Sequence, residues 1–286
     1  MGTASQWLGA PQSVLLVAMD SYEATLGIIR SGVLNVEAAL ASGDPVHAQA
    51  LADELLARLK VHADAGHVGD DIALPIAKEL CGFRAEAIWA RDGAPAGSQG
   101  RFLKRVVAGA SLGDWRYGVP ASITIAQAIL ESDWGGSAPG HNLFGMKGTG
   151  PAGSIARRVV EYHRGVRSVR SDPFRAYHDE SEALADHARI LGTGKRYARA
   201  RSHGDDRHGF AAALVGIYAS DPRYAQKLDR LIRSFTLERF DWKSGAAQTH
   251  ETTADAVPVV AEAAGDSSAT LDAVLYPVPA AWPETD

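Results

Sequence analysis

The chain has 286 residues, 46% of them hydrophobic, enough for one large or two modest domains with a real core. A net charge of -5 and a pI near 6.1 argue against a dedicated nucleic-acid binder. Cys81 is the only cysteine, so no internal disulfide forms and folding does not depend on an oxidising compartment.

The first elements read as helices. Gln12 to Arg30 carries Leu15, Met19, Tyr22, Leu26 and Ile29 at helical spacing. Its start, Val14 to Met19, is apolar but short, lacks a preceding Lys or Arg, and makes a poor export signal. No apolar run approaches the roughly 20 residues of a membrane span, so none is expected. Asp44-Pro45 is a helix start, because aspartate caps and proline suits the first turn. That helix runs to about Ala65 with Ala48, Leu51, Leu55 and Leu59 on one stripe, and Gly66 to Gly69 breaks it. A third helix spans Asp70 to Arg91. Together these predict an all-α bundle over residues 1–95. His47, His62 and His67 fit no standard zinc spacing and read as surface or structural residues.

Asp92 to Gly100, DGAPAGSQG, reads as a linker to a second domain over 96–242. The most informative stretch follows: VPASITIAQAILESDWGGSAPGHNLFGMKG, Val119 to Gly148. Pro120 or Ser122 starts a helix, and Gly135 and Gly136 end it. Gln127 and Glu131 are four apart and share a face, while Ile125, Ile129 and Leu130 can point to a core. Glu131 then sits in the last turn, where helix carbonyls disfavour an ionised carboxylate and Trp134 can add desolvation. A raised carboxyl pKa suits a general acid.

Ile155 to His163 alternates with period two and predicts a strand of a hairpin turning at Gly165, with Arg157, Val159, Glu161 and His163 on one face. Further helices are expected over about Ser181–Leu191, Phe210–Tyr218 and Pro222–Phe235. Arg is dense from Arg157 to Arg207, which reads either as a patch for an anionic polymer or as a solvated face. Beyond Lys243, Ala, Thr, Pro, Asp and Glu dominate down to PVPAAWPETD, which predicts a disordered tail over 243–286.

AQAILESDWGGS followed by NLFGMKG resembles the signature of the bacterial peptidoglycan N-acetylglucosaminidases of glycoside hydrolase family 73, which include FlgJ-type proteins and many autolysins. Asp133 departs from it, since the family often has Gly there. SIARRVVEYHRG, DPFRAY, KRYARA and YASDPRYAQKL resemble later elements of the family in the same order, so the likeness covers roughly 101–240. It implies a lysozyme-like α+β domain, mainly helical, with a small β-hairpin lobe beside a cleft whose rim runs from His141 to Gly153. It implies an endo-acting cut of the β-1,4 bond after N-acetylglucosamine, with Glu131 as proton donor. Glu161 is the candidate second carboxylate, as base or nucleophile; a surface Glu paired with a neighbouring Arg is the alternative. Tyr197 resembles the tyrosine placed near the acid, and Asp186 matches an acidic position read here as structural. Gln127, Trp134, Asn142, Phe144, Lys147 and Tyr162 are the candidate substrate contacts, the aromatics as sugar platforms or, for Phe144, as core. No cofactor and no metal is expected.

The implied substrate is the glycan strand of the cell wall, so the site of action is the periplasm or wall, reached without a cleavable signal. Delivery as an antibacterial effector, a phage component or a flagellar component would use the N-terminal helices for docking, and an effector would have an immunity protein. A muramidase, a lytic transglycosylase or a glycan-binding component without catalysis are the competing readings.

Overall fold

The computed structural model describes the backbone of residues 12–163 and 166–242, and side chains over 24–158 and 171–242. All of these lie in one compact unit, Met1–Ala246. The expected tail and the hairpin turn at Gly165 fall outside the described residues.

Three helices come first: α1 (Gln12–Ala41), α2 (Pro45–Asp64) and α3 (Asp70–Asp92). Asp44 caps α2, its carboxylate accepting from the His47 amide at 3.0 Å, with Pro45 in the first turn. Asp70 and Asp71 open α3, where negative charge offsets the helix dipole. Leu26, Ile29, Val36 and Ala39 of α1, Leu55, Leu56 and Leu59 of α2, and Leu80 and Cys81 of α3 share one core. Gly32 allows α1 to lie close on α2, since a Cβ there would stand 2.5 Å from Leu55 Cδ2. One expectation needs correction. Ala24–Ala41, 18 residues with mean hydropathy 1.2, has the length and composition of a membrane-crossing helix. Arg30 and Glu37 interrupt the apolar run, which hides it from a reading by eye.

The glycines of Gly97–Gly100, expected as linker, instead open a helix missed in the sequence, α4 (Gly97–Tyr117). Glycine is used here for close approach: a Cβ on Gly100 would collide with the Pro95 carbonyl, and one on Gly113 would stand 2.6 Å from Ala188 Cβ. Trp115 of α4 enters the first core, and its indole nitrogen donates to Leu56 O at 2.9 Å. Ala85 and Ile88 of α3 enter the second core, so one helix serves both sides of the expected boundary at 95/96.

The second core surrounds α5 (Ala121–Ser132), whose residues 121–129 are all buried. Ile125 and Ile129 face that core, whereas Leu130 is exposed. Two carboxylates from elsewhere in the chain cap α5. Asp114 Oδ2 accepts from the Ala121 amide at 3.0 Å, and Asp241 accepts from the Ser122 amide at 2.6 Å and its hydroxyl at 2.8 Å. After a loop come β1 (Ser154–His163) and β2 (Val166–Arg175), an antiparallel hairpin in register from Ser154↔Arg175 to His163↔Val166. Then follow α6 (Glu180–Thr193), α7 (Ala198–Arg201), α8 (Arg207–Leu214) and α9 (Tyr224–Phe235), and a 3-10 turn at Leu237–Phe240. The helix expected over Phe210–Tyr218 thus starts and stops earlier. On α9 the buried Tyr224, Leu228 and Ile232 are four apart, a helical stripe against α5. The architecture is the expected mainly helical α+β unit with a small hairpin lobe.

Candidate active site

Glu131 lies in the last turn of α5, and the backbone ends that helix abruptly. Asp133 and Trp134 are both left-handed, at φ 49° and 59°, and Gly135 follows at φ 80°. Such conformations are uncommon for residues with a Cβ and cost free energy that neighbouring contacts must offset. Here Ser132 Oγ donates to Ala128 O at 2.5 Å and accepts from the Gly135 amide at 2.8 Å. The Trp134 ring packs edge-on between Phe102 and Phe235, with centroids 5.8 and 4.9 Å away. The left-handed turn also explains why glycine suits position 133.

Glu131 itself is exposed, but its carboxyl is engaged. Oε1 accepts from the Tyr224 hydroxyl at 2.9 Å, and that hydroxyl accepts from Gln127 Nε2 at 3.0 Å. Burial of the carboxyl raises its pKa, opposed by the Tyr224 hydrogen bond and the charge of Lys227. Burial, reinforced by the nearby Glu131 charge, holds the Tyr224 phenol well above its usual value, so it remains a donor. The Gln127 carbonyl oxygen is buried without a partner among the described residues. Gln127 and Glu131 do share a face, and the tyrosine bridging them comes from 93 residues downstream of Glu131.

Behind this pair stands a file of rings. Tyr218 stacks on Tyr224 at 5.8 Å, His187 meets Tyr218 edge-on at 6.0 Å, and His187 stacks on Phe144 at 3.9 Å. Burial pushes the His187 imidazole down to about 3, so it is neutral. Phe144 is therefore packed inside rather than presented to solvent. Tyr197 is also buried, but the hydroxyl on Glu131 belongs to Tyr224. The signal for Tyr224 was present in YASDPRYAQKL as the first apolar position of α9, yet helical spacing reads as core as readily as site.

The remaining predicted residues shape the surrounding loop. Asn142 is buried; its amide donates to Met146 O and Arg175 O, and its oxygen accepts from the Met146 amide, all at 2.9 Å. Lys147 is exposed and pairs with Asp172 of β2 at 2.6 Å. Asp186 is structural through side chains: Tyr177, Arg175 and Arg189 donate to it at 2.8, 2.7 and 2.9 Å. Glu161 and Tyr162 lie on β1 opposite Ser168 and Arg167, and their side chains fall outside the described residues. Among the described residues no group of three or more His, Cys, Asp or Glu side chains is arranged to hold a metal.

The arrangement combines an exposed, partly desolvated carboxyl with a fixed hydroxyl donor at the open end of a buried helix, which is suited to proton donation at a solvent-accessible bond. Comparison with known proteins shows what the residues around this site resemble. The family model described as "Mannosyl-glycoprotein endo-beta-N-acetylglucosaminidase" matches residues 112–237. The chain is 38% identical over 159 residues to a "Probable N-acetylmuramidase" of Lactococcus lactis subsp. cremoris, covering 52% of this chain and 36% of that protein. It is 36% identical over 134 residues to the "Exo-glucosaminidase LytG" of Bacillus subtilis, covering 44% of this chain and 48% of the relative. The chain thus spans between about a third and a half of these relatives. The catalytic domain of the autolysin Auto from Listeria monocytogenes is 31% identical, covers 52% of this chain and 90% of its own, and superposes with a TM-score of 0.47. Residues 112–237, from within α4 to the turn that follows α9, form a domain similar to the glucosaminidase family of glycoside hydrolases.

Proposed function

We propose that this protein hydrolyses the β-1,4 bond after N-acetylglucosamine in the glycan strands of bacterial peptidoglycan. The observation that carries the reading is the Gln127–Tyr224–Glu131 chain, which holds an exposed carboxyl in one orientation with its pKa raised. Glu131 donates its proton to the leaving glycosidic oxygen. Tyr224 keeps the resulting carboxylate aligned by donating to Oε1. Glycoside hydrolysis commonly uses a second carboxyl group, as base or nucleophile. Glu161, on the hairpin lobe, is our candidate, and the distance between the two carboxyls in the substrate complex decides between retention and inversion. Trp134, half-buried, holds the turn after Glu131, and it and Lys147 are the candidate sugar contacts on this side. Similarity to a peptidoglycan hydrolase, FlgJ of Salmonella typhimurium, 34% identical, supports a peptidoglycan substrate, and similarity to both an N-acetylmuramidase and an exo-glucosaminidase leaves a muramidase cut as the second reading. The site of action on this reading is the periplasm or wall, with α1 to α3 as the docking element for whatever machinery delivers the enzyme.

The test is digestion of purified peptidoglycan by the wild type and by Glu131→Gln, followed by borohydride reduction and mass spectrometry. Reduced N-acetylglucosamine ends from the wild type, lowered by about 10²- to 10⁴-fold in the variant, are expected, the range that general acids contribute. Reduced muramic acid ends would transfer the site to the other bond, and anhydro ends would make the protein a transglycosylase. An unchanged rate in Glu131→Gln would sink the assignment of the acid.

A further inference from the structure

The outer face of α1 stands without cover among the described residues. Leu26, Ile29, Val33, Val36 and Leu40 follow the alternating three- and four-residue steps of a coiled-coil seam and pack into the first core. Gly27, Ser31, Leu34, Ala38 and Ala41 form a second seam with the same steps on the opposite side, and all five are exposed. Leu34 is 64% exposed, Ile28 beside the seam is 54% exposed, and a Cβ on Gly27 would meet nothing within 4 Å. At a rise of 1.5 Å per residue, the face from Ala24 to Ala41 is about 27 Å long. The bundle already orders this helix, so a partner laid along it meets a preformed surface.

The charges on this face select its occupant. Arg30 and Glu37 are the only charged residues of Ala24–Ala41, they are one heptad apart, and each immediately precedes a residue of the outer seam, so both flank the same edge. Both are exposed, and neither side chain makes a hydrogen bond or ion pair with another described residue. Two copies of the face laid antiparallel stack Ser31 on the partner's Leu34, Gly27 on the partner's Ala38 and Ala24 on the partner's Ala41. That register sets Arg30 opposite the partner's Glu37, and the twofold axis repeats the pair. A parallel pair would set Arg30 opposite the partner's Asn35 and leave both charges unmatched. A bilayer fits the face less well. Leu26, Ile29, Val36 and Ala39 are buried in the chain's own core, so α1 does not span a membrane while the bundle is intact. Helices that lie in the membrane interface carry a fringe of Lys and Arg, which this face lacks.

We propose that two copies of this chain pair through this face, α1 antiparallel to the partner's α1, with Arg30 of each opposite the partner's Glu37. The apolar seam supplies the attraction, and the two symmetric charge pairs fix direction and register. The face is small, so association falls in the micromolar range rather than in that of a permanent dimer. The pairing lies on the N-terminal helices and does not depend on the reading of the Glu131 site.

The test is sedimentation of the full chain across the micromolar range. The average mass is expected to rise from 30.3 kDa toward twice that value as concentration increases. Glu37→Arg places like charges opposite each other at both edges and raises the dimer Kd about tenfold or more, the combined scale of two exposed ion pairs turned repulsive. Arg30→Glu does the same by symmetry. The two substitutions together restore opposite charges and return the Kd to within about threefold of the wild type, a rescue that mere loss of a charge cannot produce. Both positions are exposed, so the circular dichroism spectrum and unfolding midpoint of each variant should match the wild type. A monomer at every concentration would overturn the proposal, as would a double variant no tighter than the single ones. Binding of the monomer to phosphatidylglycerol vesicles, without self-association, would overturn it in favour of a membrane surface.

Discussion

Tyr224 donates to Glu131 and thereby stabilises the ionised carboxylate, pulling its pKa down against the rise caused by burial. Tyr224→Phe removes that pull. A general acid works in its protonated form, so activity is lost as pH rises through its pKa. The alkaline limb of the kcat profile should therefore move to higher pH in Tyr224→Phe, with kcat lowered about tenfold by looser alignment of the carboxyl. A limb that stays put would assign Tyr224 to packing alone. His187 offers a second test at this scale. Its folded pKa is about 3 against an ordinary 6.5, because burial excludes the charged ring. The unfolded chain takes up this proton first, so stability is full above pH 6.5 and drains away as pH falls toward 3. His187→Phe keeps the ring stacked on Phe144 and removes two buried nitrogens that have no partner among the described residues. Its urea midpoint should fall less than that of the wild type between pH 7 and pH 4.5, and an equal fall would refute the argument.

At the scale of elements, α5 carries both Gln127 and Glu131, and its first turn is held by Asp114 and Asp241 from other parts of the chain. Burial raises the Asp241 carboxyl from 3.8 to about 6, despite the hydrogen bonds from Ser122 and the charges of Arg207 and Arg84. Between those values the folded protein holds a proton that the unfolded chain has released. Stability therefore declines as pH rises from about 4 to about 6, by up to about 3 kcal/mol for this group. Asp241→Asn should flatten that decline, measured as the difference in unfolding free energy between pH 4 and pH 7. Asp114, buried and shifted in the same direction, leaves a residual slope. A decline as steep as in the wild type would show that Asp241 does not titrate in this window.

Across the whole described molecule, one side chain ties distant parts together. Arg84 of α3 donates to Asp53 of α2 at 2.6 Å, to Phe240 O at 3.0 Å and to Asp241 O at 3.1 Å. It is buried, so its loss leaves three acceptors without it at once. Arg84→Met should cost about 3–5 kcal/mol in chemical denaturation, the range for breaking a buried charge pair. It should also loosen both cores together, since α3 contributes to each. A cost under about 1 kcal/mol would mean that the N-terminal helices are held without this link.

What the sequence by itself determined is local. The apolar stripes placed α1, α2, α3 and α9, Asp44-Pro45 marked a real cap, period-two alternation located β1, and the spacing of Gln127 and Glu131 put them on one face. These features depend on residues within one or two turns of each other, so the chain order contains them. α4 escaped because Gly100, Gly109 and Gly113 lower helix propensity, and only their close packing against Pro95, Leu184 and Ala188 shows why they are there. The tertiary structure alone decided which tyrosine reaches Glu131, that Trp134 and Phe144 turn toward packing partners, that Asn142 shapes its own loop, and that Asp241 caps a helix 119 positions away. Apart from the Asn142 contacts within its own loop, each joins groups from separate elements. Burial then raises the pKa values of Glu131, Tyr224 and Asp241, which no spacing along the chain encodes.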